Sequence, residues 1–191
     1  MKHNLLCVLF MIFIASELGA ELIQVGESSN TLELAYTNAT ETLLEYHFGQ
    51  FQRSAVQLDG NSYYKLWIDC EGILQERGKP ELPVYNRSII IPNSTTMHIE
   101  ITEVEYTDLP MRIVPSKGVI TRDIDPETIA YEFGDVYNQD AFYPEQLATL
   151  SEPYVLRDLR GITIRCNPLA YNPVTATLRV YTSFKVRVYA L

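Results

Sequence analysis

Apolar and polar residues alternate along several short stretches of the chain, which is the period-2 pattern of a half-buried β-strand. The alternation is strict near the C-terminus, where Phe184, Val186 and Val188 are expected to face a core. Lys185 and Arg187 lie between them and are expected to face water. Six stretches rich in Val, Ile, Thr, Tyr and Phe are predicted to be strands: Ser62–Cys70, Tyr85–Ile91, Thr96–Tyr106, Gly161–Cys166, Thr175–Tyr181 and Ser183–Leu191.

The residues between these stretches predict turns and not helices. Thr31–Tyr36 and Leu43–Phe48 are expected to add two strands, although the second is also compatible with a short helix. Asp59-Gly60-Asn61 is typical of a hairpin turn. Prolines interrupt the chain at intervals too short for long helices. We therefore expect an all-β fold, an antiparallel β-sandwich of jelly-roll-like type, formed as one domain by residues 21–191.

One segment departs from the strand pattern. From Pro115 to Pro153 the alternation lapses, and three tyrosines and two phenylalanines stand among acidic residues. A connection of this length inside a compact domain is uncommon and is usually functional. The sequence predicts one long irregular crossover loop, and it leaves two interpretations of the aromatic residues open. They either pin the crossover to the sandwich or bind a partner, because loops carry function and aromatic residues anchor interfaces.

The first twenty residues have the composition of a secretory signal peptide. Lys2 and His3 precede the apolar run Leu5–Ala15, and small residues follow at Gly19 and Ala20. The run is much shorter than the roughly 20 residues that span a bilayer. We therefore predict that residues 1–20 are a signal peptide, that the protein is secreted to the extracellular space, and that this chain carries no membrane anchor.

The charge and the remaining motifs exclude several functions. A formal net charge of −9 disfavours binding to nucleic acid or to anionic membrane surfaces. No cysteine or serine is accompanied by the His and Gly-rich turn that nucleophilic catalysis needs. Asp123, Asp125 and Glu127 alternate as calcium ligands do, but Pro126 interrupts them and no bidentate acid follows at the required spacing. The sequence predicts no catalytic residue, no metal site and no cofactor.

The cysteines leave two possibilities open. The chain has three, of which Cys7 lies in the predicted leader, so that Cys70 and Cys166 remain. An even number in an exported protein indicates a possible disulfide. Each cysteine also ends an apolar strand-like run, where a free cysteine behaves as a small buried hydrophobic residue.

A series of short motifs in one order resembles the N-terminal propeptide of the gingipain-type secreted cysteine peptidases. The resemblance is strongest over residues 63–191, and the N-terminal third matches only loosely. The motifs are Gly78–Val84 (GKPELPV), Ile89–Pro92 (IIIP), Pro115–Gly118 (PSKG), Tyr143-Pro144, Leu156–Gly161 (LRDLRG), Asn167–Pro173 (NPLAYNP) and Leu178–Tyr181 (LRVY).

The resemblance implies a β-sandwich prodomain whose partner is the cognate cysteine peptidase domain. Such a prodomain covers the active-site cleft, keeps the zymogen latent and assists its folding, and it has no peptidase activity of its own. The family's catalytic His and Cys belong to the peptidase domain, which would begin beyond Leu191. An alternative drawn from the residues alone is an extracellular β-sandwich module that binds carbohydrate or a cell-surface protein.

Six charged residues are candidates for specific roles. A prodomain can place a basic side chain in the specificity pocket of a peptidase that cleaves after Arg or Lys. Arg112, Lys117 and Arg122 stand on predicted loops and are the candidates for this inhibitory contact, with Arg112 and Lys117 preferred. A second group flanks a glycine at the start of a strand and is expected to fix a turn, because guanidinium groups bind acids and loop carbonyls. This group is Arg157, Asp158 and Arg160.

Overall fold

The computed structural model describes residues 19–26 and 29–191, and the regular secondary structure of this part of the chain is thirteen β-strands and two short 3-10 turns. The predicted signal peptide lies outside the described residues apart from Gly19 and Ala20. The strands are β1 (Glu21–Gln24), β2 (Thr31–Thr37), β3 (Glu41–His47), β4 (Gln50–Leu58), β5 (Asn61–Trp67), β6 (Gly72–Ile73), β7 (Pro83–Ile90), β8 (Met97–Pro110), β9 (Ala148–Leu150), β10 (Tyr154–Leu156), β11 (Leu159–Cys166), β12 (Leu169–Asn172) and β13 (Thr177–Ala190).

The strands of the described residues form three antiparallel sheets. One five-stranded sheet has the order β10-β11-β7-β6, with β9 also paired to β11. The other has the order β12-β13-β3-β2, and β8 pairs along the whole length of β13. A smaller sheet has the order β1-β4-β5. The two larger sheets supply the two layers of the sandwich.

Aromatic and branched side chains from both layers form one core. Tyr46 of β3 stacks on Phe184 of β13, with ring centroids 4.7 Å apart, and lies 5.9 Å from the ring of Tyr85 in the opposite sheet. Ile164 of β11 and Val186 of β13 are completely buried. Burial of so many apolar side chains between two sheets is the main favourable contribution to folding. The predicted all-β sandwich is confirmed.

The C-terminal strand follows the predicted pattern, but it is longer than predicted. Phe184, Val186 and Val188 are buried, and Lys185 and Arg187 lie on the opposite face, in ion pairs with glutamates of β3 and β8. The two strands predicted here are one, because the pairing with β8 continues through the polar residues at 182–183 with two shifts of register. Bulges of this kind add a residue without ending a strand.

The N-terminal half contains one strand that was predicted ambiguously and three that were missed, β1, β4 and β6. β3 is a strand, and Thr42, Leu44 and Tyr46 alternate into the core. β4 was not predicted, because Phe51 is its only buried side chain and its polar residues hide the alternation. The predicted hairpin turn is confirmed: Asp59 and Gly60 join β4 to β5, and both have positive φ angles.

The crossover between β8 and β9 is irregular, as predicted, and its aromatic residues attach it to the sandwich. Within it, two short 3-10 turns form at Pro126–Thr128 and Asp135–Asn138. The Tyr137 hydroxyl donates a hydrogen bond of 3.0 Å to the Ile113 carbonyl, and the Tyr143 backbone pairs with that of Tyr171. The Phe133 ring lies 5.3 Å from the ring of Tyr63. In the second half of the crossover, the aromatic residues therefore pin the segment to the sandwich, which was the first of the two interpretations.

The structure does not pair the two cysteines, so the possible disulfide is not formed. Cys70 is exposed in the turn after β5, whereas Cys166 is completely buried at the end of β11. Burial raises the pKa of the Cys166 thiol to about 12, because the thiolate would lose its hydration in the core. Cys166 is therefore a free cysteine that packs in the core as a small hydrophobic residue, which was the second possibility left open by the sequence.

We expect only one thiol of the processed chain, residues 21–191, to react in the native state. Cys70 should react rapidly with Ellman's reagent at pH 8, and Cys166 should react only after unfolding, because a thiolate is the reactive form. Absorbance at 412 nm, before and after addition of guanidinium chloride, measures both steps. A native protein with no reactive thiol would indicate a disulfide and contradict the structure.

Candidate functional site

The three basic residues predicted for the inhibitory contact follow β8 in the chain, and the structure gives each a different environment. Arg112 lies in a segment that pairs with β5, since Tyr64 donates a backbone hydrogen bond of 2.7 Å to the Arg112 carbonyl. Its guanidinium Nη1 donates a hydrogen bond of 2.8 Å to the Asn61 side-chain oxygen. Arg112 is exposed, but both its backbone and its side chain are held against the sandwich.

Lys117 closes the base of a loop. Its Nζ donates a hydrogen bond of 2.9 Å to the Pro126 carbonyl and lies 4.3 Å from the centre of the Tyr131 ring. The preceding Ser116 is buried, and its amide donates to the Lys79 carbonyl at 2.7 Å. The ten residues 117–126 thus form a loop with a fixed base, which is called the 117–126 loop below.

Arg122 lies at the tip of the 117–126 loop. The Ile124 amide donates a hydrogen bond of 3.1 Å to the Thr121 carbonyl, which is the bond of a β-turn with Arg122 and Asp123 at its centre. A hydrogen bond from the Thr121 side chain lowers the pKa of the Asp123 carboxyl. Val119 is 77% exposed and Ile124 44% exposed on either side of this turn. The loop therefore presents a cation between two exposed apolar side chains.

The pairing of the cations distinguishes Arg122 from the other two candidates. Most basic side chains of the described residues contact a carboxylate or a carbonyl group. One example is the Arg179 guanidinium, which binds Asp108 through two hydrogen bonds of 2.9 Å. Among residues 19–26 and 29–191, Arg122, Arg157 and Arg165 have neither a hydrogen bond nor an ion pair to their side chains. Of the three candidates for the inhibitory contact, Arg122 is thus the one whose side chain makes no hydrogen bond or ion pair within the described residues.

The residues predicted to fix a turn lie at the hairpin between β10 and β11. Arg157 and Asp158 are its two turn residues, both exposed, and Arg157 has a φ angle of 57°. Arg160 points back to the neighbouring turn between β7 and β8, where its Nη1 donates hydrogen bonds of 2.8 and 2.9 Å to the carbonyls of Pro92 and Thr95. The guanidinium of Arg160 thus holds a second turn, whereas Arg157 and Asp158 contribute to the first through the backbone.

Replacement of Arg160 with alanine is expected to lower the free energy of unfolding by roughly 1–3 kcal/mol, because two loop carbonyls lose a charged donor. Arg157→Ala is the matched control in the same hairpin, and its effect should stay within about 0.5 kcal/mol, as for other exposed positions. Urea denaturation followed by circular dichroism measures both. Equal stability of the two variants would show that Arg160 does not hold the turn.

Within the described part of the chain, no three His, Cys, Asp or Glu side chains are grouped as metal ligands would be. No helix among those residues has the length and apolar character needed to cross a bilayer.

Comparison with known proteins identifies the family. The family model Propeptide_C25 matches residues 27–190. Gingipain R1 of Porphyromonas gingivalis is 34% identical over 171 residues, which cover 88% of this chain and 17% of the relative. Gingipain R2 of the same organism is 33% identical over 193 residues, which cover 98% of this chain and 26% of the relative. The chain thus spans about a quarter or less of the length of these relatives.

Two solved structures have the same fold. The complex of the P. gingivalis RgpB pro- and mature domains matches with a TM-score of 0.80 and 34% identity, covering 84% of this chain and 85% of that chain. A structure that addresses the zymogenic latency of P. gingivalis gingipain K matches with a TM-score of 0.77 at 16% identity, covering 91% and 99%, and supports the fold alone. The expected resemblance is confirmed: the chain belongs to the propeptide family of the gingipain-type cysteine peptidases, and it is a propeptide domain and not a catalytic domain.

Proposed function

We propose that this domain keeps a gingipain-type cysteine peptidase latent by covering its active-site cleft, and that it assists the folding of that peptidase. The observation that carries the proposal is the 117–126 loop of a propeptide-family domain, which presents the unpaired cation of Arg122 at its tip. The partner is the cognate peptidase domain, attached in the precursor or bound after cleavage.

The shape and charge of the loop suit a cleft. A peptidase that cleaves after Arg or Lys has a pocket that binds a basic side chain, and Arg122 is the one predicted candidate that breaks no internal contact to enter it. The β-turn at 121–124 and the Lys117–Pro126 hydrogen bond already hold the loop in shape. Little conformational entropy is then lost on binding, and preformed loops bind more tightly for this reason.

Latency in the precursor follows from mass action within one molecule. A tethered domain meets its target at an effective concentration near millimolar, so moderate contacts suffice to close the cleft. Cleavage of the connection removes this advantage and allows the prodomain to leave. We further propose that residues 1–20 direct the precursor out of the cytoplasm, as expected for a secreted peptidase.

Titration of the processed chain, residues 21–191, against the mature cognate peptidase tests the proposal. Residual activity on a fluorogenic peptide should fall to zero near one equivalent of prodomain, and denatured peptidase should recover more activity when it refolds in the presence of the prodomain. Full peptidase activity at saturating prodomain, together with unchanged refolding, would refute the proposal. Binding of the isolated domain to a glycan array without inhibition would favour the carbohydrate-binding alternative.

A further inference from the structure

A second exposed surface lies on the hairpin formed by β10 and β11, residues 154–161, called the tip hairpin below. Four exposed apolar side chains lie on one face of the ribbon and of the adjacent strand β7, because paired residues share a face and neighbouring residues alternate. An isolated exposed apolar residue needs no explanation, but a contiguous group marks an interaction site. The group and its exposed fractions are Ile90 69%, Tyr154 38%, Leu156 67% and Leu159 52%, and Val155, 70% exposed, lies on the opposite face.

The tip hairpin is held rigidly in place. Leu156 and Leu159 pair directly across the two-residue turn, and Ile90 of β7 pairs with Gly161. The ring of Tyr154 covers Gly161, where an added Cβ would lie 2.9 Å from the ring carbons. Because the patch is already ordered, a partner would bind it without the cost of fixing a flexible loop.

The charge at the end of the tip hairpin indicates the chemistry of its partner. Arg157 occupies the turn and, within the described residues, has no hydrogen bond or ion pair to its side chain. The whole chain carries a net charge of −9, so an uncompensated cation on it is uncommon. A complementary surface would be apolar and would carry a carboxylate opposite Arg157, since charges across interfaces are usually matched.

The position of the tip hairpin brings it close to the end of the last strand. Arg160 binds the Thr95 carbonyl, and two residues later Met97 pairs with Ala190 at the end of β13. The 117–126 loop follows the other end of β8, where Pro110 pairs with Thr177. The tip hairpin thus lies near the start of β8, and the 117–126 loop begins seven residues after the end of this 14-residue strand, which spans about 45 Å.

The 117–126 loop is too small to supply the whole contact area of a stable complex. A standard interface contains about 20–30 residues on each side and buries about 800 Å² per partner. The 117–126 loop has ten residues, so most of the contact must come from elsewhere. The exposed ring of Tyr106 on β8 is less available to a partner, because the Arg179 guanidinium already lies 4.0 Å from its centre.

We propose that the tip hairpin is a second docking surface, which binds an apolar, carboxylate-bearing surface of the cognate peptidase domain. The proposal rests on the proposed function, in which the cognate peptidase domain is attached in the precursor or bound after cleavage. The loop closes the cleft, and the tip hairpin binds the peptidase at a second place, near the end of β13. This second contact slows the dissociation of the two domains after the connection is cut.

A double variant of the tip hairpin, Leu156→Ser with Leu159→Ser, tests this surface on the processed chain, because these two leucines pair on the same face. The inhibition constant toward the mature peptidase should rise by on the order of 100-fold, because two apolar side chains lose their burial in the complex. Leu34→Ser on β2, where the leucine is 58% exposed, is the matched control and should leave inhibition unchanged. Circular dichroism and thermal unfolding should be the same for all three proteins, since the replaced residues are exposed.

The outcomes separate this inference from the proposed function. If the wild-type domain inhibits and the double variant inhibits equally well, the tip hairpin is not a docking surface, although the proposed function stands. If the wild-type domain itself does not inhibit, the proposed function fails. Sedimentation velocity gives a further test: a wild-type dimer that the double variant abolishes would assign the patch to a second copy of this chain and overturn the inference.

Discussion

Replacement of Arg122 with alanine is expected to weaken inhibition of the cognate mature peptidase by on the order of 100-fold to 1000-fold. A charged side chain that is buried and hydrogen-bonded in a partner's pocket contributes about 2–5 kcal/mol when it is truncated, because the opposite charge is left unpaired. Arg122 makes no contact within the described domain that the substitution would break, so the fold should be unaffected. Inhibition constants from progress curves with a fluorogenic substrate measure the effect.

The other two candidates provide matched controls on the same segment. Arg112→Ala removes a side-chain hydrogen bond to Asn61, and Lys117→Ala removes the bond that closes the loop. We expect little change in inhibition for the first and an intermediate loss for the second, because an open loop must be ordered on binding. Arg122→Lys should retain much of the inhibition if the peptidase accepts lysine. Loss of inhibition in Arg112→Ala alone, with Arg122→Ala unaffected, would assign the contact to Arg112.

Replacement of Phe184 with alanine is expected to lower the free energy of unfolding by about 3–5 kcal/mol. The Phe184 side chain is 1% exposed and stacks on Tyr46 in the centre of the core, so its removal leaves a cavity that the two sheets cannot close. A loss of this size is a large share of the 5–15 kcal/mol that stabilises a typical domain. Urea denaturation followed by tryptophan fluorescence, reported by Trp67, measures the change.

A milder substitution keeps this prediction testable if Phe184→Ala does not fold. Phe184→Leu retains most of the buried volume and should lower the midpoint of urea denaturation by less. Leu159→Ala on the tip hairpin is the exposed control, since this leucine is 52% exposed, and it should change stability by no more than about 0.5 kcal/mol. A destabilisation by Leu159→Ala that equals the effect at Phe184 would contradict the assignment of the core.

Sequence patterns predicted the strands in which every second side chain enters the core, and they failed where few side chains are buried or where a short strand shows no alternation. β13 alternates strictly because every second side chain enters the core, and its faces were predicted correctly. β4 was missed because it buries only Phe51, although it is the middle strand of the small sheet. Likewise, β12 was not predicted, because its four residues are all buried and a short apolar run without alternation resembles a loop.

The three basic candidates for the inhibitory contact could not be distinguished from the sequence. The residues around Arg112, Lys117 and Arg122 are all loop-like, and no local pattern shows which cation is already bound. Their partners are distant in the chain or depend on the course of the loop: Asn61 comes from β5, 51 residues away, and Pro126 closes the loop on Lys117. The sequence therefore favoured Arg112 and Lys117, whereas the structure leaves Arg122 unpaired.

The sequence alone determined the alternating strands, the hairpin turn at Asp59-Gly60, the irregular crossover and the resemblance to a propeptide family, because each of these is encoded in neighbouring residues. The tertiary structure alone decided that Cys70 and Cys166 are separate, that Arg160 holds a turn of another strand pair, and that Arg122 and Arg157 have no partners in the described domain. Pairing of side chains depends on which strands become neighbours, and long-range packing sets that arrangement.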